Sequence, residues 1–501
     1  MRTNKHFLSY AIKIGDILIE NAVKVKDGWF WQTWRFDKIE NSFQYYSETN
    51  LYSGNAGISL FLLRLYQMTK KNRFLKALEE SISWLKTEIL KKEYISPGLF
   101  NGDIGVLVVL YEYSKAFDNI EDKFIIDLLN KLDVNKNYNQ DIIIGSAGSI
   151  LGLLSLYNLE SEKIKPLIEY FVNDILSNIK IWKKGTACSD NRKLEIPLLG
   201  FSHGQSGIAF SLSKIASLFS NSWLKDVSNQ LLKYENEYFC DTEKNYPDLR
   251  SHLFYENPSY HEIPLKLYKE KYFNQFHYMD AWCHGYSGIL LSKIERYKIF
   301  KDPKLYQEIQ NLSKNIFDRF NIVHPVFCLC HGLEGNLETL LQLSEIFKND
   351  EYNKFALKIA HESYAKLEQN NYLNNYSNLP QDFSLLTGIS GIGYQYLRLI
   401  NPKLITPILS GSFNNDLPLK KVKLNLISKR KFTQNLTFNG FKISTQKILD
   451  AGFSVNSVNL KSNNLMSDFF KKNILHSNNK ELLHNFISDK KIFSSPLIFV
   501  D

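Results

Sequence analysis

The chain has little cysteine, with five among 501 residues. They are Cys188, Cys240, Cys283, Cys328 and Cys330. Five unevenly spaced cysteines are too few to build a disulfide framework in a chain of this size, so a reducing compartment and a cytoplasmic protein are expected. Their clustering near positions 283 and 330 indicates a metal site or a catalytic site instead.

The beginning of the chain lacks a long apolar run. Its first segment, MRTNKHFLSYAIKIGDILIENAV, is interrupted by Lys13, Asp16 and Glu20. A secretion signal or a membrane span needs an unbroken apolar core, so neither is predicted here and no transmembrane segment is expected. The pattern favours a first amphipathic helix.

The chain also lacks a uniformly basic surface, although its net charge is +9. Residues 411–501 contain 14 Lys or Arg against 6 Asp or Glu, and the rest is near neutral. This distribution argues against nucleic-acid binding and indicates a basic appendage on a neutral body. We therefore predict a main domain over 1–410 and a small basic C-terminal appendage over 411–501, whose role the sequence leaves open.

The main repeated feature is Gly-x-x-Gly, which occurs seven times and each time opens an apolar segment. The first glycines are Gly54, Gly102, Gly145, Gly204, Gly285, Gly332 and Gly388. Most of the steps between them suit one helical hairpin. No Gly-Lys-Ser/Thr follows, which excludes a phosphate-binding loop. Glycine at these positions is typical of a backbone that must pass close to another part of the protein where a helix begins.

Between the turns the apolar residues have a helical period, as in Leu78, Ile82, Leu85 and Ile89. Strand-like alternation is scarce before residue 410 and occurs at 419–427. The sequence predicts an all-α fold, an α/α toroid of about seven helical hairpins with the glycine turns at one end. The longest step contains residues 240–279, which are rich in Tyr, Phe, Pro and charge, and we expect a loop there over the central cavity.

Turns five and six carry residues typical of a metal site directly before the glycine. Cys283 from one turn, with Cys330 and His331 from the next, supplies two thiolates and one imidazole, the pattern of a catalytic zinc site with an open fourth position. Two thiolates cancel the charge of Zn²⁺, so an incoming thiol could lose its proton there and remain nucleophilic. Cys328 could compete as a ligand, but it is out of register with the turns and is expected in the core.

Turn four carries His203 at the matching place. A residue that titrates near neutrality beside a metal cavity is suited to acid/base chemistry, although a hydrogen-bonded core histidine is the alternative. Asp141 lies four residues before Gly145 and could orient His203. Its alternative is a solvated loop aspartate.

These motifs resemble the lanthionine synthetase C-like family. GFSHGQSGIA, AWCHGYSGI, LCHGLEGN and LLTGISGIGYQYLRL carry the resemblance, which runs from about residue 10 to 405. The strings are most similar to the cyclase domain of class II lanthipeptide synthetases. Stand-alone class I cyclases often have arginine where this chain has Met279 and tyrosine where it has His284, so an arginine role does not carry over.

The resemblance implies an α/α toroid with zinc held by Cys283, Cys330 and His331. It also implies His203 as the acid/base with Asp141 as its partner, and His284 as a catalytic-site residue next to the ligands. The implied reaction adds cysteine thiols to dehydroalanine or dehydrobutyrine in a precursor peptide and closes (methyl)lanthionine rings. The class II dehydratase domain is not in this sequence, so a dehydrated precursor peptide and a separate dehydratase are the expected partners.

Three alternatives stay open at this stage. The same site could join glutathione to a dehydrated residue. A closed zinc site, with Cys328 or His284 as fourth ligand, would indicate a non-catalytic peptide-binding scaffold. Asp103 and Glu334 could instead be the carboxylate pair of an α/α-barrel glycosidase.

Overall fold

The computed structural model describes most of the chain up to residue 413 and short pieces beyond it. The described residues are 2–37, 39–117, 122–132, 134, 138–182, 185–188, 197–250, 277–320, 326–371, 380–411, 413, 424–427, 437–438 and 443–444.

The described residues are mostly helical. The helices are α1 (Arg2–Glu20), α2 (Asn55–Thr69), α3 (Asn72–Leu90), α4 (Asp103–Ala116), α5 (Asp122–Leu129), α6 (Ser146–Leu156), α7 (Ser161–Asn178), α8 (Gln205–Leu218), α9 (Ser222–Asn236), α10 (Tyr286–Phe300), α11 (Pro303–Ser313), α12 (Ile316–Phe320), α13 (Leu333–Phe347), α14 (Asp350–Gln369) and α15 (Ile389–Ile400).

Seven of these helices form a closed inner ring. In ring order they are α2, α4, α6, α8, α10, α13 and α15, and α15 contacts α2 to complete the circle. Each begins directly after the first glycine of one repeat, from Gly54 before α2 to Gly388 before α15. A helix that is apolar on all sides must be covered on all sides. The α/α toroid predicted from the repeats is confirmed.

An outer helix packs on each inner helix. For the first six inner helices these are α3, α5, α7, α9, α11 and α14, each following its inner helix in the chain. The seventh inner helix, α15, is covered by α1. The buried residues of α1 include Phe7, Ala11, Ile14 and Leu18, at steps of four, three and four, as the amphipathic prediction requires.

The second glycine of each repeat lies where the inner helix passes close to the preceding turn. A Cβ atom at Gly148 would lie 1.9 Å from the carbonyl oxygen of Ile142, and one at Gly288 would lie 1.9 Å from that of Trp282. The other five repeats show the same six-residue relation. Glycine is required at this position because a backbone atom occupies the space of a side chain.

Backbone hydrogen bonds join the seven turns into a second closed ring. The donor N–H and acceptor C=O pairs are Tyr52 to Phe100, Phe100 to Ile143, Ile142 to Ser202, Ser202 to Cys283, Cys283 to Cys330, Cys330 to Leu386 and Leu386 to Tyr52. Except for Ile142, these residues all stand two positions before the first glycine of a repeat. The residues at this position therefore lie around one circle at one end of the inner helices.

Short strands lie between some helices. They are β1 (Val23–Val25), β2 (Gly28–Phe30), β3 (Thr33–Asp37), β4 (Ser42–Tyr46), β5 (Ile179–Ile181), β6 (Thr186–Cys188), β7 (Thr437–Phe438) and β8 (Ile443–Ser444). Two antiparallel pairs, β1 with β2 and β3 with β4, connect α1 to α2, and the other four form a sheet in the order β6-β5-β7-β8. The sequence analysis did not predict the strands before residue 410, because runs of three to five residues are too short to show alternation.

The described residues beyond 410 contact the toroid. Gly411 approaches Leu151, and Phe413 is buried. The backbone N–H of Asn425 donates to Glu169 of α7 at 2.8 Å. Residues 424–427 form no strand, so the predicted strand is not found in its described part. The domain boundary at 410 stays a prediction.

No helix in the described ranges is long and apolar enough to cross a membrane.

Candidate active site

A cavity of about 410 Å³ lies at the end of the toroid where the turns meet. Its wall includes five of the six predicted site residues, namely His203, Cys283, His284, Cys330 and His331. The sixth, Asp141, lies behind His203 and bonds to it. The structure therefore brings all six residues to one place.

Cys283 and Cys330 are paired at the cavity. Their backbones are joined by a 3.1 Å hydrogen bond between neighbouring turns. The interaction between the two side chains lowers the pKa of the Cys283 thiol and raises that of the Cys330 thiol. Both side chains are buried. The two thiols are therefore close enough to affect each other's protonation.

His331 follows Cys330 directly and lines the same cavity. Within the described ranges, no three histidine, cysteine or carboxylate side chains are already arranged to hold a metal ion. Two thiols and an imidazole around one cavity do match zinc in the kind of donor. The structure thus joins two of the predicted ligands and leaves the third beside them, and the zinc site stays a prediction.

Cys328 lies in the core, as expected from its register. It is fully buried, and burial raises the pKa of its thiol to about 12. A thiol with so high a pKa is a poor source of thiolate at neutral pH.

Tyr52 is a site residue that the sequence analysis missed. Its hydroxyl donates to the Cys330 sulfur at 2.9 Å. Burial raises the pKa of Tyr52, so its hydroxyl keeps its proton and remains a donor. Tyr52 stands two positions before Gly54, the same position that Cys283 and Cys330 occupy in their own turns. Alignment of the seven turns would have identified it.

His203 is held by Asp141. The distance between Nδ1 of His203 and Oδ2 of Asp141 is 2.7 Å, and the other carboxylate oxygen accepts the backbone N–H of Ile144 at 2.8 Å. Asp141 is buried, which excludes the alternative of a solvated loop aspartate. A carboxylate fixed at both oxygens holds the imidazole ring in one orientation and one tautomer.

His284 lies in the same cavity wall as His203 but is in a different electrostatic state. Burial, together with the positive charge of Arg250, lowers the pKa of His284 to about 3, so it is neutral at pH 7. Its ring centroid is 5.9 Å from that of His203, and its Nε2 is 3.5 Å from the Ser202 hydroxyl. A neutral buried imidazole can accept or donate a hydrogen bond here, but it cannot act as a cationic acid.

Arg250 and Met279 also line the cavity. They belong to the predicted loop over 240–279, on either side of residues 251–276, which lie outside the described residues. The backbone N–H of Asp248 donates to the carbonyl of His277 at 2.8 Å, so the two described parts of this loop are joined. The sequence analysis missed Arg250, because this pairing brings it to the site from outside the glycine turns.

The carboxylates of the glycosidase alternative are not in the cavity wall. Asp103 is buried and accepts hydrogen bonds from Ser96 and Lys92. Glu334 is fully buried and accepts one from Ser363. Asp103 bonds to the segment between α3 and α4, and Glu334 bonds to α14 and α15. The two carboxylates therefore do not flank a common bond, as glycoside hydrolysis requires.

A model of the family described as lanthionine synthetase C-like protein matches residues 46–409. This chain belongs to the lanthionine synthetase C-like family. The family predicted from the glycine-turn motifs is thereby confirmed, and the match spans all seven turns of this LanC-like chain.

Two relatives support the assignment at different levels. The lacticin 481/lactococcin biosynthesis protein LcnDR2 of Lactococcus lactis subsp. lactis is 25% identical over 379 residues, which cover 71% of this LanC-like chain and 36% of that protein. The chain thus spans little more than a third of that relative. The solved structure of nisin cyclase aligns with a TM-score of 0.54 at 17% identity, covering 73% of this chain and 92% of that one. This second likeness supports the fold alone.

Proposed function

We propose that this LanC-like chain is a zinc-dependent peptide cyclase. It adds cysteine thiols of a precursor peptide to dehydroalanine or dehydrobutyrine residues and so closes (methyl)lanthionine rings. The observation that carries the proposal is that Cys283 and Cys330, joined by a backbone hydrogen bond, share one cavity with the His203–Asp141 pair. Membership of the family, and a relative named for lacticin 481/lactococcin biosynthesis, support the substrate class.

The metal ligands in this proposal are Cys283, Cys330 and His331. Zinc bound there would take the substrate thiol at its fourth position and lower the pKa of that thiol, so that thiolate forms at neutral pH. The Tyr52 hydroxyl would support Cys330 in this role through its hydrogen bond to the sulfur.

His203 moves the proton in the proposed reaction. The substrate thiol gives its proton to the neutral imidazole, and a sulfur electron pair forms the C–S bond to the β-carbon. The electron pair of the C=C bond then shifts towards the carbonyl, and the α-carbon takes a proton from the His203 imidazolium. Asp141 stabilises that imidazolium. No atom is lost, so the product has the mass of the substrate.

The expected partners are a dehydrated precursor peptide and a separate dehydratase that produces it. A cytoplasmic location is part of the proposal, since the reaction needs reduced thiols and all five cysteines of the chain are outside disulfides.

The test combines metal analysis with a cyclisation assay. The purified protein is expected to contain one zinc ion per chain, and it should protect the thiol of a dehydrated, cysteine-containing peptide from alkylation without a change in peptide mass. Cys330→Ala is expected to lose zinc and activity. Cys328→Ala is the matched control, a nearby buried cysteine outside the cavity wall, and should keep both.

The alternatives give different results in the same assay. A peptide that gains the mass of glutathione when glutathione is added would indicate the adduct-forming enzyme. Bound zinc without any thiol protection would indicate the non-catalytic scaffold. Absence of zinc from active protein would overturn the metal part of the proposal.

A further inference from the structure

Arg250 brings a permanent positive charge into the candidate active site. Its side chain lines the cavity with His203, Cys283 and Cys330. The guanidinium therefore lies in the same cavity as the residues that the proposed reaction uses.

Asp248 holds the guanidinium of Arg250 in one orientation. Nε of Arg250 lies 3.0 Å from Oδ1 of Asp248, and Nη2 lies 2.7 Å from Oδ2. The backbone N–H of Arg250 adds a third bond to Oδ1 at 3.0 Å. A planar group held by two parallel bonds loses little further entropy when it binds another oxygen.

The backbone around this pair is also fixed. Asp248 donates to the carbonyl of His277, and Pro247 forms a β-bridge with Tyr278. Arg250 therefore lies on a backbone segment that these two contacts fix. Met279, on the other segment, also lines the cavity. Donors fixed before the reaction stabilise a developing charge better than donors that must reorganise.

The proposed addition creates negative charge that the residues assigned so far do not neutralise. When the sulfur bonds to the β-carbon, the electron pair of the C=C bond moves to the carbonyl oxygen of the dehydrated residue. His203 delivers its proton to the α-carbon, not to this oxygen. A thiolate in the cavity would repel the charge.

We propose that Arg250 is a catalytic residue that donates hydrogen bonds to the carbonyl oxygen of the dehydrated residue and stabilises the enolate formed during thiol addition. This inference rests on the proposed cyclase function. The charge of the arginine does not change during the step. The C–S bond forms, the enolate returns its electron pair to the α-carbon, and the α-carbon takes the proton that the thiol released to His203.

The test compares Arg250→Gln and Arg250→Lys with Arg73→Gln. Arg73 is the matched control, because it also binds an aspartate with Nε and Nη2, at 2.6 Å and 3.1 Å from the two Asp16 oxygens, but on the outer helices α3 and α1. Loss of one donor to a developing oxyanion typically costs about 10²–10³-fold in kcat. We expect that loss in R250Q, with a smaller change in KM and unchanged zinc content. R250K should retain more activity than R250Q, because lysine keeps the positive charge although it lacks the planar set of donors of a guanidinium.

Chemical rescue gives a second readout. In Arg250→Ala, added guanidinium ion should restore part of kcat, while sodium chloride at equal ionic strength should not. R250Q activity within threefold of the unmodified protein would overturn the role of Arg250 and leave the cyclase function standing. Loss of zinc or of the folded state in all three Arg250 variants would show that the arginine has a structural role, and this result would also overturn the proposal. An unmodified protein that fails to cyclise would instead refute the cyclase function itself.

Discussion

Nδ1 of His203 and a carboxylate oxygen of Asp141 lie 2.7 Å apart, although the two residues are 62 positions apart in the chain. The pair joins turn four of the toroid to the loop before turn three. In the proposed reaction this contact keeps the imidazole of His203 in the tautomer that can accept the thiol proton.

We expect His203→Ala to lower kcat of cyclisation by about 10²–10⁴-fold, the usual contribution of a general acid/base. Asp141→Asn should cause a smaller loss. Because the aspartate acts through the histidine, adding Asp141→Asn to His203→Ala should cause no further loss, which a double-mutant cycle measures. Asp174→Asn is the control, since Asp174 bonds to Ser146 of the same turn and lies outside the cavity wall. Additive losses from the two substitutions would contradict the coupling.

Tyr52→Phe should weaken zinc binding by about 10- to 100-fold, as the loss of a hydrogen bond to a metal ligand commonly does. The hydroxyl that donates to Cys330 is the only group removed. Competition with a chelator measures the change in affinity. Tyr286→Phe removes another tyrosine hydroxyl, one that bonds to the carbonyl of Leu312 at 2.7 Å, and should leave zinc affinity unchanged. Equal effects of the two variants would count against a role of Tyr52 at the sulfur.

Glu334 should make the folded state less stable as the pH rises. Burial raises the pKa of its carboxyl from 4.5 to about 8, so between these values the folded protein holds a proton that the unfolded chain releases. The free energy of unfolding must then fall as the pH increases from about 4.5 to about 8 and this contribution levels off above that range. Glu334→Gln keeps the shape and removes the titration. Urea unfolding at pH 5 and pH 8 should show a smaller decline for the variant, and parallel declines would show that Glu334 is not responsible.

Two glycines of α6 should respond differently to alanine. At Gly148 the new methyl group would lie 1.9 Å from the backbone carbonyl oxygen of Ile142, which cannot move without displacing the turn. At Gly152 the nearest atom is a side-chain methyl of Ile104 at 2.5 Å. Alanine favours the helix by about 1 kcal/mol at both sites. We expect Gly148→Ala to lower the free energy of unfolding by more than about 4 kcal/mol and Gly152→Ala by about 1–3 kcal/mol. Equal losses in urea unfolding would refute the role of the close approach.

The fold could be predicted from the sequence because each repeat carries its own signal. A glycine that must tolerate close approach, followed by a strongly apolar segment, identifies an inner helix without knowledge of its neighbours. The amphipathic pattern of α1 was also readable. The sequence does not show that α1 covers α15, the inner helix of the last repeat. The apolar face of a helix does not specify which distant partner it contacts.

The site was predictable where it follows the repeat register. Cys283, Cys330 and His331 stand one or two positions before turn glycines, so a ring of turns brings them together. Tyr52 follows the same register, but tyrosine at that position suggests packing as readily as a sulfur contact. Arg250 had no local signal at all, since it reaches the cavity through the pairing of Asp248 with His277 across the long fourth step.

The circle of turns closes between the seventh and the first repeat, where Leu386 donates to Tyr52. Cys330 touches both sides of this seam, through its backbone bond to Leu386 and through the Tyr52 hydroxyl, 278 positions away in sequence. Contacts of such separation form late in folding, because the chain between them must first be ordered. Binding of the proposed zinc ion should therefore be a late event that requires the completed circle. In a partly folded chain, Cys330 would lack the hydrogen bond from the Tyr52 hydroxyl.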